Sequence, residues 1–560
     1  ISASLSVEAM KMRPHLRISR RTLLGLALVV TPSTAQPFPP APDTVAIRRH
    51  MEVLADDSLE GRGTGTRGGS AAADYIVRQL ASWGLQPAGG ERSFRQQIPV
   101  HGAIALKGTS LTITAGATTL QPTLWEEFIL LSAGNHTFIP RPVPLIFVGY
   151  GIIAPEFDYN DYRELDVRGA VVVFLAGEPA SDDSSYFGGP AATMHGSLHR
   201  KQEVALARGA RGTILLPTQR DPTFLHWERW RREFSFEDVR LPYGVPEQLH
   251  LILRSSVADV LFQGAPIPFR EVLRRDSVGG VRSIPLAAKL TFDGRFHERD
   301  SVADNIAAIV PGGDPLLKGS YVLVGAHYDH LGIGEAVEGD SIYNGLFDNA
   351  MGVSVQLELA RLFSQEAMRP ARSILFVFFT GEEKGLIGSR YYTSNPLRPL
   401  SATVAMINID GVAGFEPFRS IIPVGADLST IRDHVAAVAS RHALTIESVP
   451  PIFLEGDPLS SSDHWSFIEA GVPSMLLSEG FTYDRTSREE GVQRFVEWGL
   501  RRYHRPQDDL RQPIAMDAVD QHATVLRDII LEIANTYQPP QWLPGSPYAM
   551  ARLRSVAEGR

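Results

Sequence analysis

Four short stretches of this chain end in side chains that bind hard cations. His327-Tyr328-Asp329-His330 follows the apolar run 321–326, Glu382-Glu383 follows 373–379, and Asp410 follows 403–409. Asp348 stands just ahead of a helix-patterned stretch at 352–363. Alone, each is ordinary, because an Asp after a strand is usually a turn former or a cap. Together they gather imidazole and carboxylate groups on one rim, where like charges repel and raise each other's pKa unless a cation offsets them. The pattern points to a divalent-metal centre. The 560 residues include no cysteine, which excludes thiolate sites, iron–sulfur clusters and cysteine nucleophiles. Any metal is therefore held by His, Asp, Glu or carbonyl oxygen. Two later segments, Ser461-Ser462-Asp463-His464 and Tyr503-His504-Arg505-Pro506-Gln507-Asp508, each offer a further His. Spacing alone does not choose between them.

Groups at strand ends need a scaffold that lays the strands side by side. From residue 300 onward, strand-like runs at 321–326, 373–379, 403–409 and 474–477 alternate with helix-spaced patterns at 352–363, 386–393, 428–442 and 519–537. This alternation predicts an α/β fold: a mixed, doubly wound sheet with helices on both faces. Such sheets bind ligands outside the carboxyl ends of their strands. Upstream, residues 71–83 have helical spacing and stop at Gly84, a C-cap signal. The glycine-rich stretch 61–69 lacks a following Lys-Ser/Thr and a preceding strand, so it reads as a connecting loop and not a phosphate cradle. Residues 100–295 read as a mostly β module, with strands at 145–148, 170–175 and 212–216 and a helix at 199–208. The Trp- and Arg-rich piece 226–234, interleaved with Glu228 and Glu233 and followed by Glu237 and Asp238, reads as a surface helix or loop.

Composition supports a folded, globular chain: 44% hydrophobic and 21% charged residues leave no room for bulk disorder. The formal net charge of -9, from 54 basic and 63 acidic residues, argues against a nucleic-acid partner. At the amino end, Lys11, Arg13, Arg17, Arg20 and Arg21 lead into an apolar segment at 22–30, then Ser33 and Ala35 at signal-peptidase spacing. This is the layout of an export signal, and 19–24 resembles a twin-arginine motif. The apolar run is too short for a lasting membrane anchor. The expected location is periplasmic or extracellular.

The chain resembles the secreted co-catalytic zinc aminopeptidases, the family of bacterial leucyl aminopeptidase and related exopeptidases. The resemblance is carried by His327-Tyr328-Asp329, by 347–352 and 381–389, by Asn408-Ile409-Asp410, by Ser462-Asp463-His464 and by Tyr503-His504 through Asp508. It implies two zinc ions, one held by His327 and Asp410, the other by Glu383 and His504, with Asp348 bridging. It also implies Glu382 as general base for attack by a metal-bridging water, with Asp329 orienting His327. The substrates implied are peptides, trimmed from the amino terminus. Val148-Gly149-Tyr150-Gly151-Ile152 and Asp166-Val167-Arg168-Gly169 resemble a protease-associated domain. The expected organisation is a signal peptide at 1–35, a linker at 36–43, a zinc peptidase domain at 44–130 and 296–540, an inserted mainly β protease-associated domain at 131–295, and a tail at 541–560. Leu346, Met351 and Arg505 depart from the family pattern, and could alter packing, a pocket wall or the electrostatics of substrate binding.

Two other functions fit the same residues: a carboxypeptidase or dipeptidase on the same scaffold, and a noncatalytic binding protein. An acidic pocket beside the metals would favour an aminopeptidase, and an arginine cluster a carboxypeptidase. Glu479 or the acids within 455–457 are candidates to hold a substrate ammonium. The inserted module is expected to border the cleft, against the alternative of a passive spacer.

Overall fold

A computed structural model describes residues 39–134, 137–189, 193–218, 220, 227–244 and 248–558. The export signal and most of the linker expected at the amino end lie outside the described residues. No helix among the described residues is long and apolar enough to cross a membrane.

The larger sheet has ten strands. Its centre is four parallel strands in the spatial order Ser373–Phe379, Tyr321–His327, Thr403–Asn408 and Ser474–Glu479. Strands Phe296–Val310 and Arg95–Ala105 extend it antiparallel on one side, and Ser420–Val424 on the other. Every residue of Ser373–Phe379 and Thr403–Asn408 is buried. That explains their unbroken apolar sequence, since a parallel sheet is covered on both faces. One face packs against helices Thr44–Leu54, Arg67–Ser82, Met351–Phe363, Ile431–Arg441 and Met516–Asn535. Tyr392 and Phe467, from helices Ile387–Ser394 and His464–Glu469, cover the other. The α/β fold expected from the alternation is the fold observed.

A second, mixed sheet has eight strands, running from Thr118–Leu120 at one edge to Phe128–Leu130 at the other. Its middle contains Phe138–Phe147, Val171–Leu175 and Gly212–Leu216, pairing in parallel. Residues 110–130 pair within this sheet, whereas Asp238–Arg240 crosses back to pair with Arg95–Ala105 of the larger one. The piece read as a surface helix or loop is a helix, Trp227–Ser235. Trp227, Trp230 and Phe234, spaced by three and four residues, pack it onto the second sheet. Its other side faces the rim of the larger sheet.

Candidate active site

The carboxyl ends of the central strands bring the candidate ligands together. His327 is the last residue of its strand, level with Phe379. The Tyr328 amide donates to the Phe379 carbonyl at 2.9 Å, which turns the chain at the rim. Asp348 is held from two directions. Asp508, in the loop that also carries His504, accepts the amides of Phe347 at 3.1 Å and of Asp348 at 3.2 Å. Asn349 donates to the Ile409 carbonyl at 2.8 Å and accepts the Gly411 amide at 3.1 Å, tying this segment to Asp410. The Asp348–Asn349 peptide is cis.

Two groups of donors result, sharing Asp348. His327 Nε2 lies 3.1 Å from Asp410 Oδ1 and 3.4 Å from Asp348 Oδ1. His504 Nε2 lies 3.2 Å from Glu383 Oε2 and 3.3 Å from Asp348 Oδ2. The two Asp348 oxygens thus face different histidines. Glu382 stands with His327 and Asp410 in one metal-competent cluster, and His330 with Asp348 and Glu383 in another. Of the two later histidine segments, it is His504 that reaches these acids. His464 is buried and forms no ion pair with them among the described residues, and burial pushes it down to about 4.

The donor set fits hard or borderline divalent cations. His504 Nε2 is buried without a hydrogen-bond partner, between two carboxylates. Its Nδ1 is 2.8 Å from Glu233 Oε1, a contact that would hold the proton on Nδ1 and free Nε2 for a metal ion. His327 repeats the arrangement: Nδ1 lies 3.2 Å from the Asp329 carbonyl and 3.7 Å from its Oδ1, while Nε2 faces Asp410 and Asp348. The Asp329 carboxylate instead takes the Thr64 hydroxyl at 2.9 Å and the Glu382 amide at 3.1 Å.

The acids and imidazoles of the rim perturb one another strongly. Burial opposes ionisation of Asp348, yet His327 and His504 hold its carboxyl well below the usual range, with His330 adding to the effect. Glu383 is lowered too, against burial and Asp348, by His504 and His330. Glu382 goes the other way. Burial first, then the charges of Asp410, Glu383 and Asp463, push it well above an ordinary carboxyl. Adjacent glutamates driven in opposite directions are a mark of divided acid–base roles.

Several residues of the site have no role assigned to them by the sequence alone. His330, third after His327, is fully buried and sits 2.6 Å from Glu383 Oε1, fixing that carboxylate. Glu233 reaches the site from the Trp227–Ser235 helix, so the second sheet's own layer contributes directly to the rim. Arg62, in the glycine-rich loop, is fully buried and donates to four carbonyls: Tyr328 at 2.7 Å, Leu54 at 2.6 Å, Asn344 at 2.5 Å and Gly345 at 2.9 Å. The loop is therefore more than a connector. Gly61 is required there, because a Cβ would lie 2.4 Å from the Tyr343 carbonyl oxygen.

The rim opens into a cleft with two lobes that share Glu233, Glu383, Gly385, Tyr503 and His504. One lobe, about 540 Å³, is bordered by Trp125, Arg229, Trp230 and Phe236. The other, about 490 Å³, is lined by Phe347, Val412, Phe415, Phe495 and Trp498, with Glu382, Asp410 and Glu479. Burial pushes the Glu479 carboxyl up to about 7. Leu346, Met351 and Arg505 line neither lobe, and the first two are core residues.

Comparison with known proteins agrees with this geometry. Residues 305–530 match the model of peptidase family M28. Leupeptin-inactivating enzyme 1 of Streptomyces exfoliatus is 29% identical over 195 residues, 34% of this chain and 39% of that protein. A probable glutamate carboxypeptidase, VP8, of Zea mays is 26% identical over 443 residues, 74% of this chain and 58% of that protein. The chain thus spans well under two thirds of these relatives' lengths. An aminopeptidase from Aneurinibacillus sp. strain AM-1 shares the fold over 90% of this chain and 97% of its own, with a TM-score of 0.53 and 19% identity. His327, Asp348, Glu382, Glu383, Asp410 and His504 all fall inside residues 305–530, the stretch that is similar to peptidase family M28.

Proposed function

We propose that this protein is an exported, binuclear zinc aminopeptidase that removes amino-terminal residues from peptides. The observation that carries the reading is the charge of the cleft lobe beside the rim. Its lining includes Glu233, Asp348, Glu382, Glu383, Asp410 and Glu479 against a single arginine, Arg390. Two divalent ions would offset the ligating carboxylates, yet Glu233 and Glu479 would still leave a wall suited to an ammonium and hostile to a second carboxylate. Export rests on the basic and apolar pattern of residues 11–35.

In this reading His327 and Asp410 hold one ion, Glu383 and His504 the other, and Asp348 both. When bound, such a pair of ions acidifies water and offsets the charge of a tetrahedral oxyanion. Glu382 would take the proton of the attacking water and return it to the departing amine, since its carboxylate stands beside His327 and Asp410. Asp329 fixes the Glu382 backbone and, through its carbonyl, the His327 ring.

Substrate choice tests the reading. Peptides and aminoacyl anilides with a free amino terminus should be cleaved, and their acetylated counterparts resisted. Loss of the carboxy-terminal residue from acetylated peptides would replace this function with that of a carboxypeptidase.

The inserted module is more than a spacer if Glu233 fixes the His504 tautomer. Partners of this kind typically contribute about 10–100-fold to metal affinity. Glu233→Ala is expected to lose zinc to a competing chelator that much more readily, with its far-ultraviolet spectrum and melting temperature nearly unchanged. Unchanged zinc affinity would mean the contact is structural only.

A further inference from the structure

Glu479 sits where the pattern of its strand calls for an apolar residue. In Ser474–Glu479, Met475 and Leu477 point into the core and are fully buried. Alternation sends the Glu479 side chain to that same side. It is only 8% exposed, and that exposure opens on the aromatic lobe of the cleft. The wall there is continuous: Phe347 stacks on Trp498 with ring centroids 5.6 Å apart, Phe495 meets Trp498 at 5.9 Å, and Phe347 meets Phe415 at 5.7 Å.

Neighbouring acids are paired. Glu416 takes Arg494 at 3.1 Å and Glu447 takes Arg488 at 3.0 Å. Glu479 forms no ion pair with any Lys, Arg or His among the described residues, and burial raises its pKa against a hydrogen bond from its own backbone amide. A buried acid without a cation is costly. It persists in a ligand pocket when the ligand supplies the missing partner.

We propose that Glu479 makes this lobe a subsite for a substrate side chain with an apolar stem and a cationic tip, so that amino-terminal lysine and arginine are preferred. The inference rests on the aminopeptidase reading. The stem would lie along the aromatic wall, and rings near a cation add to its binding. The same carboxylate could instead receive the α-ammonium common to every substrate, and the test separates the two sources.

Lysine and norleucine differ at the tip: norleucine ends in the methyl group where lysine carries its ammonium. The zinc-loaded full chain should hydrolyse the lysyl p-nitroanilide at least about tenfold better, by kcat/KM, than the norleucyl one. Glu479→Gln should shrink that ratio by about tenfold, and Glu479→Leu should reverse it. A lysine-to-norleucine ratio equal in parent and variants would overturn the proposal. Equal losses on both substrates would also overturn it, by assigning Glu479 to the α-ammonium. Calorimetric binding of L-lysinamide and L-norleucinamide to the parent and both variants reads the same preference without turnover. If no unblocked substrate is cleaved but lysinamide binds in a Glu479-dependent way, the subsite stands and the aminopeptidase reading falls. If the parent binds both amides equally, the subsite falls.

Discussion

Glu382→Gln should lower turnover by about 10²–10⁴-fold, the usual contribution of general acid–base catalysis, while metal content stays at the parent's level. The substitution keeps size and hydrogen-bonding shape and removes only basicity. The backbone it stands on would not move, because the Glu382 amide is held by Asp329 and not by its own side chain. Zinc analysis and steady-state kinetics on one preparation check the result. Turnover near the parent's value would remove Glu382 from the mechanism whatever its position.

The largest effect is expected from metal removal. Exhaustive chelation should abolish activity, and returning about two zinc ions per chain should restore it. Glu383→Ala should mimic half of that loss. It deletes a donor 3.2 Å from His504 Nε2 and leaves His330, 2.6 Å from the missing oxygen, without its acceptor. Metal occupancy should fall toward one ion per chain, with activity falling alongside. The folding core should survive, because strand Ser373–Phe379 is packed behind the rim and ends before residue 383. Two ions retained at full activity would exclude Glu383 as a ligand. The contrast with Glu382→Gln matters: one variant keeps metal and loses rate, the other loses both.

The central strands are legible in the sequence because burial on both faces makes them unbroken apolar runs, and their carboxyl ends could be read for ligands directly. His327, Glu382, Glu383 and Asp410 needed only that logic, whereas Asp348 was read from its place just ahead of helix Met351–Phe363. His504 did not follow from it. It stands in an irregular loop with a left-handed backbone, brought in by Asp508 bonding to the Phe347 and Asp348 amides. Such a long-range contact has no local periodicity to announce it. Glu233 is harder still, since its helix is amphipathic toward the second sheet and its acids look like a solvated face. Strand Asp238–Arg240, three residues long, is defined by its partner and not by its own pattern. Thr64 and Arg62 sit in a stretch whose glycines read only as a connecting loop. Their meaning depends on which backbone lies above them.

Arg62 bears on how so many acids can share one rim. Its guanidinium is bonded to carbonyls alone, so none of its charge is matched by a bonded carboxylate. Burial lowers its pKa to about 10, still far above neutrality, and the charges that oppose the drop are Asp329, Asp348, Asp508 and Glu383. A fixed cation is thus installed behind the acids, held at the end of a side chain that cannot leave. It supplies part of the neutralisation that these acids need. The fold thus carries a counter-charge of its own for the acids of the rim.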